Sequence, residues 1–385
     1  MRLAEFVARY PGVRLATAAD NGSILDFFER SPMRTSAFNV QYRRRPDFFR
    51  LLGYQADRAH VLIGEDGGRI NGVGTVSLRP GWVNGQSTTV GYFGDLRVRF
   101  DRTAVRRWRR LFGDVLVRAA EIDDLADCTH WFTAVMDENR LARTALGARR
   151  PGMPSLVPVG PFTMRNLLLR LPFASKMRFA SRWQVLRAGA SDRDRLAAFF
   201  EDENRRLALG FRGEVGRRLA QWHGLSITDF VYAVDREGIV ACAAPWSPSA
   251  AKQTVVSRVP FGLRVLGRAA AALSSPPRLR IPQAGEPLRI AYLTHLTFAD
   301  RLAASDRPLV FRAMLDALCD TWHQTDWHCL AVCDFNAWRL GQALRGFVQE
   351  TVPITVYEVV PPGRPHPSPT SLCAAGPPAF EMALV

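Results

Sequence analysis

Lysine is almost missing from this chain. Lys176 and Lys252 are the only two in 385 residues, against a combined lysine and arginine count of 51. The net charge of +15 is therefore carried by arginine, whose planar fork donates hydrogen bonds in pairs and suits phosphate and carboxylate groups. Such an excess fits an anionic partner (a nucleotide cofactor, nucleic acid or a lipid surface), and it equally fits compositional habit and solubility. Paired cysteines are missing too: positions 128, 242, 319, 329, 333 and 373 show no framework spacing, which favours a reducing, cytoplasmic setting over a disulfide scaffold. No apolar run approaches the roughly 18 residues that would suggest a membrane span, and the opening MRLAEFVARYPGV has no apolar signal-peptide core. GxSxG, Walker and HExxH motifs do not occur. His323, His328, Cys329 and Cys333 offer zinc-type ligands, but a strand over 327–334 would send His328 and Cys329 to opposite faces. No metal is expected.

What is present belongs to a folded protein, with 47% hydrophobic and 23% charged residues. The length exceeds one ordinary core, so two domains are expected. Asp20-Asn21 can cap a helix with Ile24, Leu25, Phe27 and Phe28 on one face. The spacing predicts a second helical segment over 37–52, broken near Pro46. Asp66-Gly67-Gly68 is a hairpin turn between strands at 60–65 and 70–78. Further strands are expected over 127–136 and 156–169.

The stretch 89–116 organises the rest. It starts as a β-branched and aromatic strand, turns at 99–102, and enters a helix crowded with Arg106, Arg107, Arg109 and Arg110. The first N–H groups of a helix lack partners and its dipole adds positive charge there, so this strand–turn–helix is an anion-binding device. A helix-length link between the strands at 90–98 and 127–136 permits parallel pairing.

The plan then repeats. Leu196-Ala-Ala-Phe-Phe-Glu201 echoes Ile24-Leu-Asp-Phe-Phe-Glu29, and Val332-Cys-Asp-Phe-Asn336 echoes Val135-Met-Asp-Glu-Asn139. Leu96 aligns with Leu293 and Asn139 with Asn336 at one shift of 197, with an insertion at 245–287 absorbing the growth from the earlier shift of 172. An internal duplication is expected. The divisions are 1–171, a basic linker at 172–183, a second copy at 184–360, and a disordered proline-rich tail at 361–385. Residues 258–273 read as an apolar helix with a cationic side, able to rest on an anionic membrane or to pack on its own domain.

The strand, basic turn and helix resemble the acyl-CoA-binding core of the GNAT acetyltransferase superfamily. The strings PMRTSAFNVQYRRRPDFF, VNG at 83–85, GYFGDLRV at 91–98 and ARTALGARRPGMPSLVP at 142–158 look like an uncharacterised bacterial group of such proteins. The resemblance covers 13–169 and 185–360. It implies an α/β (α+β) chain of two tandem GNAT-like folds, each a mixed central sheet flanked by helices, the second degenerate. It further implies an acyltransferase moving an acetyl or other acyl group from acyl-CoA, its only cofactor, to a small-molecule or peptide amine.

By the same resemblance, a kinked central strand parts from its parallel neighbour and the pantetheine arm pairs with the freed edge. Here that strand is 92–98, giving Leu96, Arg97 and Val98. The pyrophosphate turn gives Arg102, Thr103, Arg106 and Arg107, and the residues after the next strand give Asn139 and Ala142. The superfamily's turn is glycine-rich and this one has no glycine, so phosphate binding would rest on arginines and the helix end. The position of the usual general-acid tyrosine holds Leu146 in the first copy and Ala343 in the second.

Asp95, on the central strand, is the expected base, or else the partner of Arg97 and Arg99. Tyr92 is the expected proton donor, with core packing as its alternative. Tyr42 and Asp47 are expected to wall the acceptor site, although Asp47 also suits a helix cap. Two rival readings stand beside the enzyme: a binding or sensing protein with decayed CoA loops, and a charge-driven membrane or nucleic-acid binder. Nucleic acid ranks last, because no recognition motif or aromatic platform accompanies the arginines.

Overall fold

The computed structural model describes residues 1–30, 39–99, 101–140, 142–143, 153–170, 182–259, 262, 265, 282–322, 325–362 and 377–385. In the first copy the order is α1 (Leu3–Val7), β1 (Val13–Leu15), α2 (Asn21–Glu29), β2 (Asn39–Arg43), α3 (Arg50–Gln55), β3 (Arg58–Asp66), β4 (Arg69–Val83), β5 (Gln86–Val98), α4 (Arg102–Val117), β6 (Cys128–Met136) and β7 (Ser155–Arg170). The second copy follows with β8 (Gln184–Arg187), α5 (Arg193–Asn204), β9 (Gly210–Phe211), α6 (Glu214–Gln221), β10 (Val231–Asp235) and β11 (Gly238–Trp246). It continues through β12 (Gln253–Arg258), β13 (Pro287–Leu288), β14 (Ile290–Phe298), α7 (Arg307–Trp322), β15 (Cys329–Phe335) and β16 (Phe347–Val360).

The described strands of both copies join one mixed sheet in the order β1-β3-β4-β5-β6-β16-β7-β15-β14-β11-β10-β8, with β9 on β4. The last strand of each copy is exchanged: β16 of the second copy pairs with β6 of the first, and β7 of the first pairs with β15 of the second. β7 and β16 then pair antiparallel along nearly their whole lengths. The expected boundary between 171 and 184 thus falls between strands of a single sheet. One core cluster runs through the middle, from Val90 and Phe132 through Phe162 to Leu293 and Leu330.

Duplication is visible in the local geometry. The short 3-10 turns Ala18–Asp20 and Ala190–Asp192 both precede a helix and both close on the carboxylate of their third residue. They stand 172 residues apart, as the sequence spacing predicts. The segment 37–52 departs from its expected helix: Asn39–Arg43 is β2, which pairs antiparallel with β12, and only Arg50–Gln55 is helical. β2, β12 and β13 form a small second sheet that ties the insertion of the second copy to the first. Most of 258–273 lies outside the described residues, as does 363–376. The end of the expected tail is ordered: Ala379, Ala383 and Leu384 are buried. No described helix is long and apolar enough to cross a membrane.

Glycines fix how α4 sits. A Cβ on Gly64 or Gly72 would lie 2.8 or 2.2 Å from the indole nitrogen of Trp108. Bare backbone on β3 and β4 lets this buried side chain lie flat on the sheet. Gly74 serves the same contact, since a Cβ there would lie 3.0 Å from the Trp108 ring.

Candidate active site

β5 and β6 run parallel and pair at four positions, ending with Tyr92 opposite Phe132. Beyond Tyr92 they part. The cause sits on the other edge of β5, where the β4–β5 register shifts between Val73 and Thr75 and Asp95 adopts φ 53°. A bulge with an unpaired left-handed residue bends a strand and strengthens its twist, and it carries β5 away from β6. The second copy does the same. β14 and β15 pair only as far as Tyr292 opposite Ala331, the β11–β14 register shifts between Cys242 and Ala244, and His295 has φ 54°. The tyrosines and the bulges are each 200 residues apart, so the central strands align Leu96 with Leu296. The expected match of Leu96 to Leu293 is corrected by three residues. Sequence alignment missed it because the bulge residues, Asp95 and His295, share no chemistry.

The two splits differ in what fills them. In the second, residues 377–385 thread along the opening. Glu381 accepts the main-chain N–H of His295 at 2.8 Å and an Arg218 hydrogen bond at 3.0 Å. Phe380 packs on Phe162, and Pro378 lies where a Cβ on Gly160 would be, 2.4 Å away. Burial pushes the Glu381 carboxyl above its ordinary range, against the pull of Arg218. Past the parting point of the first split, β5 carries Leu96, 49% exposed, whose side chain leans over β4 to 3.5 Å from where a Cβ on Gly74 would sit. Thr133 reaches across from β6 to the Phe93 carbonyl at 2.9 Å.

Around the open end of the first split stand the end of β5, the head of α4 and the turn after β6. Leu96, half-buried Val98, exposed Arg102 and exposed Thr103 lie there. Asn139 Oδ1 accepts the Ala142 N–H at 3.0 Å, capping the segment that follows β6. The helix head carries its own anion: Asp101 caps α4 by accepting the Thr103 N–H at 2.9 Å.

Arg106 and Arg107 are turned elsewhere. They line a cavity of about 550 Å³ with Arg110 and residues of α1 and the turn after it, and the Arg107 guanidinium would touch a Cβ on Gly12. α1 packs by β1, which is separated from β6 by β3, β4 and β5. The structure therefore does not bring these two arginines to the split. The other side of α4, through Phe112, packs on Phe93.

The face of β5 toward α2 and β2 holds the polar cluster. Asp95 Oδ1 pairs with Arg44 at 2.6 Å, and Thr75 lies 3.4 Å from Oδ2. Arg44 is buried and also lies over the rings of Phe28 and Phe48. The partner of Asp95 is thus neither Arg97 nor Arg99. Arg97 instead donates to the Phe28 carbonyl at 2.7 Å and stacks on that ring, and burial brings its guanidinium down to about 10. Tyr92 lies over Gly94, where a Cβ would sit 2.6 Å from its ring. Burial raises the Tyr92 and Tyr42 phenols well above their ordinary value, so both stay neutral. Tyr42 donates to the main-chain oxygen of Val385. Asp47 stands apart and accepts the Phe49 N–H at 2.9 Å at the head of α3.

Lys252 joins this cluster without any signal in the sequence beyond its rarity. Its amine donates to the Met382 carbonyl at 3.0 Å and to the Val385 oxygen, and it lies over the rings of Tyr42 and Tyr292. Burial first, then Arg44, pushes its pKa well below the usual lysine value. Among the described residues no group of histidine, cysteine and carboxylate side chains could hold a metal.

No family model and no curated protein matches the sequence. Solved structures do. The chain is similar to Saccharomyces cerevisiae N-myristoyltransferase with bound myristoyl-CoA, at 12% identity and a TM-score of 0.54 over 91% of this chain and 84% of that one. A second structure of that enzyme, with bound myristoyl-CoA and inhibitors, gives 11% identity and 0.53 over 91% and 81%. At such identity the likeness is one of fold. With a bulged, splitting parallel pair in each half, this is a tandem GNAT fold. A tandem GNAT protein from the clavulanic acid biosynthesis pathway overlaps 92% of the chain at 12% identity and a TM-score of 0.48.

Proposed function

We propose that the first copy binds an acyl-CoA in the split between β5 and β6 and transfers the acyl group to an amine. The observation that carries this reading is the contrast between the two splits. Among the described residues, one keeps a strand edge without ladder pairing beyond Tyr92 and an exposed leucine, while its duplicate is filled by the chain's own residues. The pantetheine arm would add to the β5 edge as a strand does, covering Leu96 and Val98, with Asn139 and Ala142 at the far wall. Its diphosphate would lie at the head of α4, beside Arg102 and Thr103.

In the transfer, the amine nitrogen bonds to the thioester carbonyl carbon, the C–S bond breaks, and the amine's proton leaves. Asp95, held at the bulge by Arg44, takes that proton, directly or through a water. Neutral Tyr92, at the point where the strands part, donates a hydrogen bond to the departing thiolate, which takes its proton from water. Tyr42 and Lys252 wall the acceptor side, and Asp47 has only a capping role. The second copy, with its split filled, serves as scaffold through the exchanged strands.

One observation favours the sensing reading. Asp101 places a carboxylate on the helix head where the diphosphate would sit, which opposes tight CoA binding. The experiment follows thiol release from acetyl-CoA and longer acyl-CoAs with diamine and peptide acceptors. Asp95→Asn is expected to lower turnover by about 100-fold with CoA affinity unchanged, and Asp101→Asn, which keeps a cap, to tighten CoA. Unchanged turnover in Asp95→Asn removes that residue from the chemistry. Acyl-CoA binding without thiol release from any amine leaves the sensor.

A further inference from the structure

Apart from the split, the cavity between α1 and α4 concentrates positive charge. Arg9, Arg106, Arg107, Arg110 and Arg118 line it against one lining carboxylate, Asp114. The cavity is built rather than incidental. Tyr10 is fixed by donating its hydroxyl to Asp114, and burial with that bond pushes its phenol up to about 12. Phe6 lies between the guanidiniums of Arg9 and Arg118, 5.9 and 5.8 Å from its centroid. Gly12, at φ 74°, leaves the room that Arg107 occupies.

Some of this charge is answered inside the protein. Arg118 is paired with Glu121 at 2.6 Å, and Arg110 sits 3.5 Å from Asp114. Arg9, Arg106 and Arg107 form no ion pair with a carboxylate of the described residues. Like charges gathered on one wall repel one another, and a multivalent anion relieves that repulsion while accepting paired guanidinium hydrogen bonds.

We propose that this cavity is a binding site for a soluble ligand carrying a chain of two or more phosphates, separate from the acyl donor's split. About 550 Å³ holds a small organic ligand of nucleotide size. The recognition chemistry resides in the phosphates, since the rings of Phe6 and Tyr10 are already engaged. The site does not depend on the acyltransferase reading. It would stand in a protein that transfers nothing.

Calorimetry on the full chain tests it, with inorganic tripolyphosphate, ADP and acetyl-CoA as probes. Tripolyphosphate is expected to bind once per chain, more weakly as salt rises. Arg106→Ala with Arg110→Ala should weaken it by about tenfold or more, with melting temperature and acetyl-CoA affinity unmoved. Arg107→Lys, a milder change, should weaken it by a smaller factor. Comparable binding of ADP shows that the phosphate chain suffices. Absence of saturable tripolyphosphate binding, or equal binding by the double variant, overturns the proposal. So does a loss of acetyl-CoA affinity in the double variant, which would make this the cofactor's own diphosphate site. Binding confined to anionic vesicles also overturns it.

Discussion

The carboxylate of Glu381 accepts the main-chain N–H of His295 at 2.8 Å. That amide belongs to the bulge of the second split, and 200 residues earlier the matching bulge is at Asp95. A duplicated fold has therefore used a stretch of its own chain to satisfy a polar edge in one half.

Glu381 also answers Arg218, which is fully buried. Replacing Glu381 with Ala leaves that guanidinium with Glu214 and the His295 ring and orphans the His295 amide. Unfolding by urea should show a loss of about 2–3 kcal/mol. Glu381→Gln, which can still accept the amide, should lose less. A neutral effect of Glu381→Ala would mean the segment lies loosely in the split.

Gly72 offers a purely steric test. Its added methyl would meet Trp108 at 2.2 Å, so Gly72→Ala should cost about 1–3 kcal/mol, read as a lower denaturation midpoint. Gly22, with open space around its Cβ position, is the control and should tolerate alanine.

Lys252 predicts a pH dependence of stability. Its pKa is depressed in the fold, so between that value and the ordinary lysine pKa the unfolded chain binds the extra proton. The lysine's contribution then rises with pH and is most unfavourable in acid. Lys252→Met should flatten stability against pH on the acid side of the ordinary lysine pKa, measured by chemical denaturation at several pH values. An unaltered slope would show that the amine is charged in the native state.

Much of this architecture is legible in the sequence because it is local. The hairpin at Asp66-Gly67-Gly68, the crossover helix after 98 and the helix carrying Ile24, Leu25 and Phe28 follow from turn chemistry and apolar period. What was not legible depends on distant partners. β2 is a strand because β12 lies beside it, a contact spanning some two hundred residues of chain. The exchange of β7 and β16 leaves no periodic mark in either strand. Arg106 and Arg107 stand in the right stretch, but α4 turns them toward α1. Asp95 meets Arg44 because a bulge aims it there. The tail 361–385 was expected to be disordered from its composition, yet its described end, 377–385, packs because Phe380 and Glu381 find distant partners in Phe162, Arg218 and His295.

Leu96 isolates the proposed donor site from stability. Its side chain is 49% exposed, so Leu96→Asp should leave the melting temperature within about a degree, as exposed substitutions do. Acyl-CoA affinity should fall by about tenfold or more if a thioester arm covers this edge. Equal affinity would place the donor elsewhere.

The most direct test of the account is the stoichiometry of acyl-CoA binding to the full chain by isothermal titration. Among the described residues the chain's own segment 377–385 fills the second split and not the first, so one molecule in the first split is predicted, with binding lost or sharply weakened in Leu96→Asp. Binding that Leu96→Asp leaves unchanged, or none with any acyl length, would contradict it.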